Sequence, residues 1–411
     1  MSHKLTLIVF AVSTLCNATA RADDADRPMF LFNGFGSVGV THSSERQADF
    51  TSNPLKPNGA GFTQSWSADV DSRIGVQLSA NLSKQLTAVV QVIAEQRYDN
   101  SYTPIVEWAN VSYQVSPDFS VRVGRIALPM FLAAEYRKVG YAFPLARAPI
   151  EVYGTVPVSN SDGVDASYRL HLGDTKTTVQ SFYGKTDFKF KDEGSASARE
   201  LWGISNTTEF GSASVRLSYL RTNLSVDLVR PLFDAFRQFG PQGTSIADRY
   251  DAQNTLVTVV SLGASYDPGN WFVTTEWGQL KTNSFLGDKT VWYASGGYRL
   301  GNFTPYLTYA QVKADSNTSD PGLSLATLPP YLAAPAAGLN AGLNSVLGLV
   351  AVQTSTSVGV RWDFKKSAAL KLQYDGINPG TGSPGTLINP QPAFRSPGTV
   401  NVWTAILDFV F

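Results

Sequence analysis

Few side chains in this sequence of 411 residues could make or break bonds. The one cysteine, Cys16, lies in an apolar N-terminal stretch, which removes disulfides, cysteine nucleophiles and thiolate-held zinc from the rest of the chain. Past residue 22 there are two histidines. His42 stands beside Ser43, Ser44 and Glu45, a grouping that a surface hydrolase could use, while His171 precedes a turn at Gly173 on the opposite rim. Such histidines are more often solvated loop residues. Gly34-Phe35-Gly36-Ser37-Val38-Gly39 matches the dinucleotide fingerprint letter for letter. That motif needs a following helix, and here Val40-Thr41-His42-Ser43 continues as strand. Asp248 with Asp251, and Asp315 with Asp320, match no calcium-loop spacing. No cofactor and no metal is expected. What remains is electrostatics, carried by arginines, lysines and carboxylates set into segments of alternating polarity.

Composition bounds what those segments build. With 43% hydrophobic, 12% aromatic and 16% charged residues the chain is no disordered tail. Lys plus Arg and Asp plus Glu both number 33, so no basic excess exists to hold a nucleic acid. Lys4, the apolar run from Leu5 to Leu15 and Ala20-Arg21-Ala22 form a secretory signal expected to be cleaved. Residues 1–22 are then the signal and 23–411 a single exported domain. Beyond the signal no credible run of about 20 apolar residues offers a transmembrane helix.

From Phe30 to Phe411 the dominant period is two. Ile74, Val76, Leu78, Ala80 and Leu82 share one face, while Arg73, Gln77, Ser79 and Asn81 share the other. This pattern predicts strands at 30–41, 70–82, 86–97, 105–115, 119–128, 163–172, 176–186, 200–210, 213–224, 255–266, 271–281, 290–300, 303–313, 353–365, 368–377 and 400–411. Short and long connections alternate between them, as in a transmembrane antiparallel β-barrel of about sixteen strands in an all-β fold. Hydrocarbon satisfies no backbone N–H or C=O, so the first and last strands must pair. Trp403, Ala405, Leu407, Phe409 and Phe411 alternate up to the terminal aromatic, and Trp108, Tyr113, Trp271, Trp292 and Trp403 fit an interfacial girdle. The poorly periodic stretch 223–255 leaves room for one strand pair more or fewer. Residues 321–360 carry no charge, but Pro329, Pro330 and Pro335 argue against a continuous helix. The stretch 315–349 reads as a long external loop with one short helix near 339–349.

Parity turns Arg73, Arg97 and Arg122 inward from strands two, three and five, with Asp165 and Glu95 among the inward acids. A barrel of this size is too wide for its own side chains to fill.

Several motifs then resemble one family. Glu107-Trp108-Ala109-Asn110-Val111, Val123-Gly124-Arg125, Val139-Gly140-Tyr141-Ala142, Glu151-Val152-Tyr153 and Asp162-Gly163-Val164 are similar to those of Gram-negative outer-membrane porins of the trimeric sixteen-stranded type. Asn33-Gly34-Phe35-Gly36-Ser37-Val38-Gly39 is similar to their first strand. The resemblance implies a homotrimer of water-filled barrels in the outer membrane, each narrowed by an inward-folded constriction loop between strands five and six. It also implies a passive channel for small hydrophilic solutes and ions, with no enzymatic step. The C-terminal ending, Leu407, Phe409 and Phe411, resembles the signal read by the barrel assembly machinery. Loop three here lacks the acidic cluster ending in Gly-Gly of the general porins, which argues against a simple cation-favouring constriction. It supplies Glu135, Arg137, Lys138, Arg147 and Glu151, preceded by Arg125. With Arg73, Arg97, Arg122 and Asp165 these are the candidate solute-contacting residues, and they predict a mild preference for anions or small carboxylates. Competing readings are a substrate-specific porin for organic anions and a surface adhesin or phage receptor acting through its loops.

Overall fold

A computed structural model describes residues 28–191 and 194–411; the predicted signal, 1–22, lies outside the described residues. The strands are β1 (Phe30–Ser43), β2 (Arg73–Asn81), β3 (Leu86–Glu95), β4 (Ile105–Ser116), β5 (Phe119–Ala127), β6 (Asn160–Leu172), β7 (Thr175–Lys189) and β8 (Ser195–Phe210). They continue as β9 (Ala213–Val226), β10 (Thr255–Tyr266), β11 (Trp271–Lys281), β12 (Lys289–Tyr298), β13 (Phe303–Ala314), β14 (Gln353–Lys365), β15 (Ala368–Pro379) and β16 (Val400–Val410). Each pairs antiparallel with its sequence neighbours. β1 pairs with β2 and also with β16, Phe35 opposite Val410 and Ser43 opposite Val402. The sixteen strands therefore form a closed barrel with no free edge. Turns of two to four residues join strands at one rim, and the other rim carries the longer connections.

Alternation fixes the two faces. On β2 Ile74 and Leu78 are exposed while Gln77 and Ser79 are buried; on β16 Trp403 and Leu407 are exposed while Thr404 and Asp408 are buried. The apolar face meets lipid and the polar face lines the inside. Trp271, Trp403 and Tyr113 are exposed as a girdle requires, but Trp108 is only 9% exposed. A bulge moves it: Gln91 pairs with Trp108 and Val92 with Val106, which leaves Glu107 unpaired and lets both Glu107 and Trp108 be buried.

The glycines of the fingerprint belong to the seam. Phe411 lies over Gly34 and Phe409 over Gly36, so that a Cβ on either glycine would fall 2.1 or 2.4 Å from a ring carbon. The Gly34 and Phe411 backbones exchange hydrogen bonds of 2.8 and 2.9 Å.

Among the described residues four α-helices interrupt the sheet: α1 (Ile150–Tyr153), α2 (Arg230–Arg237), α3 (Gly240–Tyr250) and α4 (Pro330–Leu347). The ambiguous stretch 223–255 thus holds two helices and no further strand pair. The continuous α4 corrects the expectation of one short helix. Pro330 sits in the first turn, where no N–H is needed, and Pro335 costs one bond at Tyr331, which is 77% exposed and open to water. Leu343 and Leu347 of α4 pack with Phe233 and Phe236 of α2 and with Phe285, giving the long-loop rim its own apolar core. No helix among the described residues is long and apolar enough to cross a membrane.

Replacing Gly36 with leucine is expected to overpack the seam by about 2 kcal/mol. The check is the guanidinium midpoint of the folded barrel, followed by tryptophan fluorescence; a midpoint equal to the parent's would contradict the seam packing.

Candidate functional site

The connection 128–159 has little regular structure, so its backbone groups need partners from elsewhere. The polar face of the barrel supplies them. Arg216 of β9 donates to the Phe131 carbonyl at 2.7 Å and pairs with Glu135 at 3.1 Å. Ser261 of β10 donates to the Met130 carbonyl. Glu276 of β11 accepts from the Leu132 N–H at 2.8 Å, from the Tyr153 hydroxyl at 2.5 Å and from the Tyr293 hydroxyl at 2.9 Å. Arg361 of β14 donates to the Tyr141 and Phe143 carbonyls at 2.7 and 2.8 Å. Lys371 of β15 reaches the Gly140 and Leu145 carbonyls at 2.8 and 2.9 Å, and pairs with Asp408 of β16 at 2.8 Å. Apolar packing adds to this, with Met130, Phe131, Val152 and Tyr153 against Val257, Val259, Leu280 and Val291 of the wall.

Gly140 marks the closest approach. A Cβ there would fall 2.2 Å from Asp408 Oδ1 and 2.5 Å from Ser37 Oγ, which are themselves hydrogen-bonded at 2.5 Å.

Five basic and two acidic side chains line one cavity between this connection, the first long connection and the wall: Lys56, Arg73, Arg137, Lys138 and Arg147 against Asp71 and Glu95. Arg147 is neutralised in place. It holds Asp71 at 2.6 Å and Asp375 at 3.2 Å and donates to Thr404 at 2.7 Å. Burial alone would lower its pKa, but the two carboxylates override this and keep it above the ordinary guanidinium value. Glu95 is shared between Lys138 and the more distant Arg73 at 3.8 Å. Arg137 has no carboxylate partner among the described residues and donates to the Val156, Val158 and Tyr153 carbonyls at 3.2, 3.1 and 3.4 Å. Lys56 is 7% exposed and donates to the Asp69 and Val70 carbonyls at 2.5 and 3.1 Å. Loss of hydration lowers its pKa to about 8; Glu95 and Asp71 oppose that shift, while Arg73 and Lys138 reinforce it.

The structure thus gathers Arg73, Arg137, Lys138 and Arg147 from the expected set and separates the others. The expected strand end at residue 97 is corrected: β3 ends at Glu95, and Arg97 lies in a turn closed by its N–H to the Ser101 carbonyl, with its guanidinium over Tyr98. Arg125 is corrected as well. It shares the outward face of Val121 and Val123 and pairs with Asp162 at 2.7 Å, both partly exposed. Arg122 and Asp165 lie opposite each other on β5 and β6 and neutralise one another at 2.6 Å. Glu135 is taken by Arg216, and Glu151 is 3% exposed and accepts from Gln353 at 2.7 Å. Leu407, Phe409 and Phe411 alternate on the outward face, with the two rings stacked at 6.3 Å.

Two charged members of the cavity escaped sequence reasoning. Asp71 shares the parity of Arg73 and was within reach of it; Lys56 sits in an aperiodic loop and carries no such signal. The histidines form no catalytic arrangement among the described residues. His42 Nδ1 bonds the Ser65 carbonyl at 2.7 Å and its ring stacks on Trp66, while the Glu45 carboxylate accepts the Arg46 and Gln47 N–H groups. No metal-binding cluster occurs among the described residues.

Known proteins place this architecture. The family described as Gram-negative porin matches residues 6–383. The outer membrane channel DcaP of Acinetobacter baumannii superposes with a TM-score of 0.57 at 11% identity, over 95% of this chain and 100% of that one. OmpF of Salmonella typhi, in complex with daunomycin, gives 0.56 at 11%, over 93% and 97%. OmpT of Vibrio cholerae gives 0.52 at 11%, over 94% and 99%. At these identities the likeness is one of fold. No curated protein matches in sequence. The family match spans most of the chain, the barrel closes with lipid-facing and polar faces, and the chain belongs to the Gram-negative porin family, an outer-membrane channel.

Proposed function

We propose that the protein is a passive diffusion channel for small hydrophilic solutes and ions, narrowed by the connection 128–159 and favouring anions, small carboxylates among them. The observation that carries this reading is the charge around the cavity. Lys56, Arg73, Arg137, Lys138 and Arg147 make five cations against Asp71 and Glu95 of the lining and the adjacent Asp375, an excess of two positive charges. In a confined lumen such charges are screened less than on a surface, and an excess of one sign admits ions of the other. Nothing in this mechanism makes or breaks a bond. The barrel assembles as a homotrimer in this reading, as the family resemblance implies, and the barrel assembly machinery reads the Leu407-to-Phe411 ending.

The test is the reversal potential of the refolded protein in a planar bilayer under a salt gradient. The sign is expected to be anionic, and Arg73→Gln with Lys138→Gln should lower the anion-to-cation permeability ratio at least about twofold. A cationic sign in the parent would overturn the reading.

Titration of Lys56 gives a second check. Its proton leaves as pH rises through about 8, removing one positive charge from the cavity. Anion preference should therefore fall between about pH 7 and 9, and Lys56→Gln should be flat across that window. An equal fall in the variant would assign the effect to another group.

Gly140→Val tests the narrowing. Its side chain would overlap Asp408 and Ser37 and force the connection off the wall. Single-channel conductance should change from the parent's; an unchanged value would place the segment outside the conduction path.

A further inference from the structure

The cavity takes one side from the first long connection, 44–72, which brings Ser52, Asn53 and Lys56 to its lining. Phe50 of the same connection lies under the Arg147 guanidinium, 5.0 Å from it. The regular structure of this connection is limited to two-residue strands, with Asp49 opposite Gly61 and Phe50 opposite Ala60. Its position must therefore come from contacts outside the cavity.

Those contacts converge on one carboxylate. Asp49 is fully buried and has no ion pair among the described residues. A carboxylate so placed needs hydrogen-bond donors. Three meet it: the Thr63 N–H at 2.8 Å, the Thr63 hydroxyl at 2.5 Å and the Asn389 side-chain amide at 2.8 Å. The Asn389 amide also donates to the Pro57 carbonyl at 2.9 Å, one residue from Lys56. Asn389 reaches both from a backbone φ of +54°, which asparagine tolerates better than most residues.

Asn389 belongs to the last long connection, 380–399, and the two connections join beside it. Asp49 and Ile388 exchange backbone hydrogen bonds of 2.8 and 2.9 Å, and the Gln391 N–H donates to the Gln47 carbonyl at 2.7 Å. Phe50 and Val70 pack with Leu387 and Val402. Among the described residues none of 380–399 lines the cavity. Burial acts most on the Lys56 ammonium, then the charges of Glu95, Arg73, Asp71 and Lys138, with Arg137 and Arg147 completing the charged lining; Asp49 is not one of these. Its influence on Lys56 is one of position.

On the reading of that cavity as the selective part of the conduction path, we propose that Asp49 and Asn389 are its positioning residues: through them the last long connection holds Lys56 and Phe50 in place. Without the Asn389 amide the buried carboxylate loses a donor, and the segment 56–57 loses its tie. Lys56 then gains water, and its pKa moves from about 8 toward the ordinary 10.5.

The experiment is competitive acetylation of the purified, folded barrel between about pH 6 and 11, with Lys56 read by mass spectrometry, which does not depend on conduction. In the parent Lys56 should titrate at about 8. Asn389→Gly keeps the left-handed backbone free of strain and removes only the amide. Its midpoint should rise by about one pH unit or more, as should that of Asp49→Ala, while Thr63→Ser keeps the hydroxyl and the parent's midpoint. In planar bilayers the fall of anion preference with pH should move up by the same interval. An unchanged midpoint in either variant, shown to be folded by its heat-modifiable gel mobility, would overturn the assignment. A cationic reversal potential in the parent together with a shifted midpoint would instead overturn the anion reading and leave the positioning intact. Should neither variant fold, Thr63→Val, which removes one donor, must raise the midpoint in the same direction or the assignment fails.

Discussion

Everything in this molecule follows from the inability of hydrocarbon to bond a peptide group. A sheet in lipid must close on itself, so β1 and β16 must meet and their contact must be tight. Gly34 and Gly36 exist at that seam as flat ground for the rings of Phe411 and Phe409. Closure at sixteen strands in turn leaves an interior that wall side chains cannot fill. An irregular segment can enter such an interior only if its own N–H and C=O groups are met there.

The wall meets them with charge. Arg216, Arg361 and Lys371 donate to carbonyls of the connection 128–159, and Glu276 accepts its Leu132 N–H. These cations are part of the scaffold, balanced by Glu135, Asp363 and Asp408. Where the first and third long connections face each other, cations outnumber carboxylates. There the wall's Arg73 and Glu95 meet Lys56, Arg137 and Lys138, and one carboxylate serves several cations. The division between basic residues that hold the loop and those that face the cavity is what gives the lumen a sign.

Sequence alone reaches the barrel because lipid on one face and water on the other impose a strict period of two. Strands 255–266, 271–281 and 353–365 are placed to the residue. Legibility fails where the period slips. β8 begins at Ser195, five residues before its expected start, because Glu200 has a positive φ and the pairing shifts between Arg199 and Trp202. Strand three looks irregular because Ile93 turns inward to pack on Phe35 and Val139 of the interior segment. The site was half legible for the same reason. Arg73 and Arg122 follow from parity, but parity carried past Glu95 misplaces Arg97, and it says nothing of Lys56 or of which loop cations are already spoken for. Those facts are set by tertiary contacts across the barrel.

The central claim is that a positive cavity lies in the conduction path, and thiol chemistry tests it most directly. The single cysteine, Cys16, lies in the predicted signal, so Ser52→Cys would place one thiol on the cavity lining. The account predicts that an anionic methanethiosulfonate reagent modifies this thiol faster than a cationic one of equal size, and that each modification lowers the current. Faster reaction with the cationic reagent, or modification without any change in current, would contradict it.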